Sequence, residues 1–162
     1  MSDFFRRLVT TRAGWGPLVL RVPIGITLMG HGGQKLFGWF GGPGLEGTGS
    51  MMAQIGLNPG YVMGLLAGSA EFFGGLLLFI GFLVRPAGAV VGCTMLVAIF
   101  AVHFPKGLFL ANGGYEYALA LLAVSVSLLV SGAGRVSIDE WLARSRQGTV
   151  APPSRDAAGS AA

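Results

Sequence analysis

Apolar residues run almost unbroken through four stretches of the chain, residues 17–37, 61–83, 87–104 and 115–130. A helix that crosses the hydrocarbon core of a bilayer needs roughly 20 mostly apolar residues, because the core is about 30 Å thick and each residue rises about 1.5 Å. The pattern predicts an all-α integral membrane protein, a four-helix bundle whose third and fourth spans are short enough to need tilt or local thinning. Turn chemistry separates the spans: "GWFGGPGLEGTGS" at 38–50, "NPG" at 58–60, "VRP" at 84–86 and "FPKGLFLANGG" at 104–114. Residues 50–57, "SMMAQIGL", are expected to form a short helix on the membrane surface. The chain divides into an N-terminal segment (1–16), a transmembrane domain (17–140) and a tail (141–162) with too few large apolar residues to pack, expected to be disordered.

Helical spacing gives each span a face. On the second, Gly64, Gly68, Glu71 and Gly75 recur at intervals of four, three and four, which sets a carboxylate inside a glycine stripe turned toward other helices. The third repeats the device with Gly88, Gly92, Met95, Ile99 and His103, and the fourth with Glu116, Ala120, Ala123 and Ser127. On the first, Ile24, Leu28, His31 and Lys35 share a face, with Arg21 roughly 60° away. Small residues let helix backbones approach closely, which suits a tight bundle rather than a wide pore.

Composition supports the membrane reading. The 162 residues are 52% hydrophobic and only 11% charged, with a mean hydropathy of +0.67, outside the range of a soluble globule. The net charge of +4 comes from cations that flank apolar segments instead of clustering on a solvated face, so nucleic acid is not an expected partner. The lone Cys93 excludes an intrachain disulfide, a CxxC redox pair, a thiolate zinc cage and a CxxCH haem attachment. With four crossings, Arg6, Arg7, Arg12, Arg85, Arg135, Arg144, Arg146 and Arg155 fall on one side, and only Lys35 and Lys106 on the other. Both termini are therefore expected in the cytoplasm. Arg21 and His31 interrupt the first apolar stretch, which reads as an uncleaved anchor and not as a signal peptide.

A charge at mid-helix costs about 2.5 to 3.5 kcal/mol on insertion scales, so the polar residues of the spans need a reason. They are Arg21, His31, Gln34 and Lys35 on the first, Glu71 on the second, His103 on the third, and Glu116 with Tyr117 on the fourth. By helical rise His31 lies roughly 10 Å and Lys35 about 5 Å below the outer boundary, Glu71 about 15 Å, and His103 and Glu116 near the boundary itself. Five of these side chains, His31, Lys35, Glu71, His103 and Glu116, are expected to converge in the outer half of the bundle.

The stretch "RVPIGITLMGHGGQKLFGWFGGPGLEGTGSMM" resembles the signature of the DoxX family of membrane proteins, with its apolar first helix ending in HGxQKLFG. "GLLAGSAEFFGGLLLFIGFLVRPAG", "FAVHFPKGLF" and "NGGYEYALALLA" resemble that family's next three segments in order. The resemblance implies a four-helix protein of the bacterial inner membrane. It also implies a role beside oxidoreductases, since the family includes the membrane component of a thiosulfate:quinone oxidoreductase and a partner in an oxidative-stress complex. His31, Gln34, Lys35, Glu71, His103 and Glu116 stand at the family's polar signature positions.

Several functions compete for these residues. A quinone-linked subunit would use His31, Gln34, Lys35 and Arg21 to hold the quinone, and Glu71, His31, His103 and Glu116 to move protons. No flavin, nicotinamide or iron–sulfur motif is visible, so electrons would come from a soluble or peripheral oxidoreductase subunit. Two histidines and two glutamates would also serve a metal, but the Glu-x-x-His pair usual in bundles does not occur. A transporter or binding protein for a small anion or hydrophobic molecule would use Arg21 and Lys35 as anion contacts. A scaffold for a soluble enzyme would need none of this chemistry. The bland readings are a Glu71 that is protonated or paired with Arg21 only to fix helix packing, and a Lys35 that snorkels beside an aromatic belt. The Gly64/Gly68 and Gly88/Gly92 spacings also suit a homo-oligomer.

Overall fold

A computed structural model describes residues 14–145. The N-terminal arginines Arg6, Arg7 and Arg12, and the expected tail beyond Ser145 with Arg146 and Arg155, lie outside the described residues. Among those described the fold is all-α, with no strand.

Helix α1 spans Gly16–Phe37, with Pro17 in its first turn where a missing N–H costs nothing. It stops at Gly38, whose φ of +72° is the left-handed conformation glycine adopts freely, and the Gly38 N–H closes on the Gly33 carbonyl. A 3-10 turn, Trp39–Gly41, leads to α2, Gly44–Gln54. This helix starts six residues earlier than the expected surface helix and is packed, not free-standing: Thr48, Gly49 and Met52 are buried against the start of α3. The Thr48 hydroxyl sits 2.7 Å from the Gly44 carbonyl and 3.1 Å from that of Lys35, tying α2 to the end of α1.

Helix α3, Gly60–Ile80, ends at Gly81, also left-handed. Helix α4, Val84–Val97, continues through a π-helical segment, Ala98–His103, and a 3-10 turn, Phe104–Lys106. Helix α5 is Glu116–Ser131 and α6 is Ile138–Ser145, so helix continues across the expected boundary at residue 140. Among the described residues, two helices are long and apolar enough to cross a membrane, Gly60–Ile80 with 21 residues and Val84–Lys106 with 23, while Glu116–Ser131 is apolar but shorter. The third stretch is thus not short, because the π turn and the 3-10 turn prolong it.

Packing follows the glycines. α1 lies along α3 over most of its length, and α4 along α5. At the α1–α3 crossing Gly25 and Gly75 face one another: a Cβ on either would fall within 2.8 Å of the other's carbonyl oxygen. Leu28, Leu78, Val84, Val91, Met95, Leu121 and Leu128 form the interior. On α3 the stripe Gly64, Gly68, Glu71 and Gly75 is buried throughout, and on α4 Gly88, Gly92, Met95 and Ile99 are buried. The fourth stripe is turned the other way. Ala120, Ala123 and Ser127 are exposed, and α5 buries Ala118, Leu121, Ser125 and Leu128 instead.

Candidate functional site

Glu71 is 5% exposed in the interior face of α3. Its Oε2 lies 2.5 Å from Nζ of Lys35 on α1, a charge-assisted contact whose lysine side chain retains 22% exposure. Gly68, one turn before Glu71, makes the approach possible: a Cβ there would stand 3.2 Å from that of Lys35 and closer still to Leu36. The carboxylate of Glu71 has no other hydrogen-bond or ion-pair partner among the described residues.

Beside the pair, the His31 ring on α1 lies 5.9 Å from that of Tyr117 on α5, tilted by 53°. Tyr117 also lies near Thr27 and within electrostatic reach of Glu71. On the other flank of α1, Trp39 packs over Gly33 and joins Phe37 and Phe72 in a cluster with centroids 5.0 to 5.7 Å apart. Phe37 and Trp39 remain about half exposed, an aromatic edge of the kind found at a membrane interface.

The expected convergence is smaller than the sequence suggested. His103 donates from Nδ1 to the Gly113 carbonyl at 2.7 Å, and Glu116 accepts from the Leu110 N–H at 2.6 Å. Both hold the 104–115 loop, and neither bonds to Glu71 or His31. Gln34 is half-buried, with Gly42 against its backbone. Tyr117, adjacent to Glu116 in sequence, is the α5 side chain that faces His31.

Arg21 is elsewhere altogether. It is 1% exposed at the opposite end of α1, and Glu71 is not its partner. Nε donates to the Ala133 carbonyl at 3.2 Å, one terminal nitrogen to Leu78 and Phe79 at 3.1 and 2.6 Å, and the other to Val136 at 2.5 Å. Asp139, also 1% exposed, accepts the Leu83 and Val84 N–H groups at 2.8 and 3.0 Å. Leu83 and Val136 both have left-handed backbones, φ +48° and +56°, unusual for a bulky or β-branched residue. Their conformations turn the Leu83 N–H to Asp139 and the Val136 carbonyl to Arg21. Burial pushes the Asp139 carboxyl above its ordinary range, against the opposing pull of the Val84 and Leu83 N–H groups and the Arg21 and Arg85 charges. Sequence reasoning missed Asp139, whose one signal was a carboxylate five residues after the glycines of a turn, Gly132 and Gly134.

No group of three or more His, Cys, Asp or Glu side chains is gathered for a metal among the described residues. What the Lys35 end of α1 provides is a buried carboxylate, an ammonium, an imidazole and a phenol from three helices, beside exposed aromatic surface.

The DoxX family profile matches residues 16–104, from the first turn of α1 to the start of the 3-10 turn that follows α4 and its π-helical segment, and the chain belongs to that family. It is also 31% identical over 132 residues, 82% of this chain and 90% of the relative, to a protein of Bacillus subtilis (strain 168) named "Putative oxidoreductase CatD". No solved structure matches it.

Proposed function

We propose that the protein is the membrane subunit of a quinone-linked oxidoreductase system in the bacterial inner membrane. In this reading α1, α3, α4 and α5 form a four-helix bundle that crosses the bilayer four times with both termini in the cytoplasm. Arg85, Arg135 and Arg144 mark the cytoplasmic end and Lys35 and Lys106 the outer one. The α4 segment, α3 and the 22-residue α1 have the length, and the 16-residue α5 completes the bundle where the bilayer thins locally.

The observation that carries the proposal is the Lys35–Glu71 pair. Intramembrane ionisable groups are functional by default, because a purely structural contact there is made more cheaply by apolar side chains. Glu71 has one partner and acceptor capacity to spare, the arrangement of a group that takes up and releases a proton. Lys35 and His31 are donors for the oxygen atoms of a quinone ring, and the Phe37, Trp39 and Phe72 surface is apolar enough to receive its tail. Reduction of a quinone to its quinol takes up two electrons and two protons. Protons reach the ring through Glu71, and electrons come from a soluble or peripheral subunit, in keeping with the oxidoreductase name of the Bacillus relative. His103 and Glu116 act in this scheme by holding the outer loop.

Native mass spectrometry of the gently solubilised protein tests the proposal. A quinone-sized adduct on the wild type that is lost in Glu71→Gln is expected. A bare chain in repeated preparations, or an adduct indifferent to Glu71→Gln, would overturn it.

A further inference from the structure

We propose that Tyr117 is a ligand-binding residue, and that the ring slot of this site opens to lipid along the seam between α1 and α5. This inference rests on the quinone reading above and names a contact that reading does not include.

The seam is a feature of the packing. α1 is pressed along α3, and α5 along α4, while α1 and α5 touch at only a few points. Leu28 of α1 and Ala118 and Leu121 of α5 belong to one buried apolar cluster, and beside them Tyr117 is the polar α5 side chain that meets α1, its ring 5.9 Å from that of His31. The most sparsely packed of these helix pairs is where a flat ring enters with least disturbance of the helix backbones. Tyr117 is 36% exposed there, open to an arriving molecule.

The hydrogen-bond inventory says what Tyr117 offers. Thr27 Oγ1 donates its own proton to the Pro23 carbonyl at 2.9 Å, so toward Tyr117 it acts as an acceptor. The phenol can donate its proton to a ligand oxygen and accept through its own lone pairs. A ring with an oxygen at each end matches the set: Lys35 beside Glu71 of α3, and His31 with Tyr117 on the side of α5. A hydrocarbon ring of the same shape gains the slot but not the phenol.

Equilibrium dialysis of the solubilised full chain against menadione, and separately against 2-methylnaphthalene, the same ring system without oxygens, separates these contributions. Tyr117→Phe should weaken menadione binding about five-fold, the loss of one neutral hydrogen bond, and leave 2-methylnaphthalene unchanged. Unchanged menadione binding in Tyr117→Phe, or an equal loss for both rings, would overturn the assignment while leaving the quinone reading in place. A wild type that does not prefer menadione to 2-methylnaphthalene would overturn the quinone reading, and this assignment with it.

Discussion

Arg21 and Lys35 lie about 21 Å apart along α1 by helical rise, and the fold surrounds each with a different kind of partner. Arg21 donates to four backbone carbonyls drawn from α3 and the α5–α6 connection, and its neighbour Asp139 accepts two backbone N–H groups at the start of α4. Lys35 and Glu71 have each other and a partly open surround. A buried charge whose hydrogen bonds are all made to backbone fixes chain geometry and has nothing left to exchange. One that meets a single ionisable partner can trade it for a ligand or a proton. On the proposed function, the Arg21–Asp139 cluster is the structural end of the molecule, and the Lys35–Glu71 pair is the end with chemistry to offer.

The largest effect should come from breaking the inner cluster. Arg21→Ala leaves four carbonyls and the Asp139 carboxylate without their cation, and should cost about 3 to 5 kcal/mol, read as a fall in the unfolding midpoint in detergent. Arg21→Lys should recover only a minor part, since an ammonium cannot span carbonyls that the planar guanidinium fork reaches together. Next is the α1–α3 crossing: Gly75→Ala forces a Cβ against the Gly25 carbonyl and the Leu28 side chain, and should destabilise by about 1 to 3 kcal/mol in the same assay.

Asp139 sharpens the comparison through pH. Its carboxyl is raised by burial, so the folded protein holds that proton more tightly than the unfolded chain does. Its contribution to stability is fully present below the unfolded value and is lost as pH rises through the folded value. Asp139→Asn should flatten the pH dependence of the unfolding midpoint in that window, and a slope identical to wild type would remove Asp139 as its source. The smallest stability effect belongs to the outer pair. Replacing both partners, Lys35→Met with Glu71→Leu, should leave stability within about 1 kcal/mol of wild type while abolishing ligand binding.

The sequence pattern reaches as far as local helical geometry does. The α1, α3 and α5 helices, the burial of Glu71 and its approach by α1 follow from spacing, because period and glycine position are local properties. Arg21 was not legible, since its partners Ala133 and Val136 are more than 100 residues away and are backbone atoms that no motif marks. His103 escaped the face arithmetic because the π-helical turn Ala98–His103 departs from 100° per residue and rotates it toward the Gly113 loop. Ala120, Ala123 and Ser127 were misassigned because small residues suit a lipid-facing surface as well as a tight crossing. Tyr117 sat in view beside Glu116, but which of two neighbours turns inward depends on the phase of α5, set by its packing on α4.

The comparison of the two clusters is tested most directly by measuring unfolding midpoint and retained quinone on the same preparations of Glu71→Gln and Arg21→Met. Glu71→Gln should keep a wild-type midpoint and lose the quinone, whereas Arg21→Met should unfold many degrees lower. A Glu71→Gln protein that unfolds as early as Arg21→Met yet still carries its quinone would contradict the division of labour between the two ends.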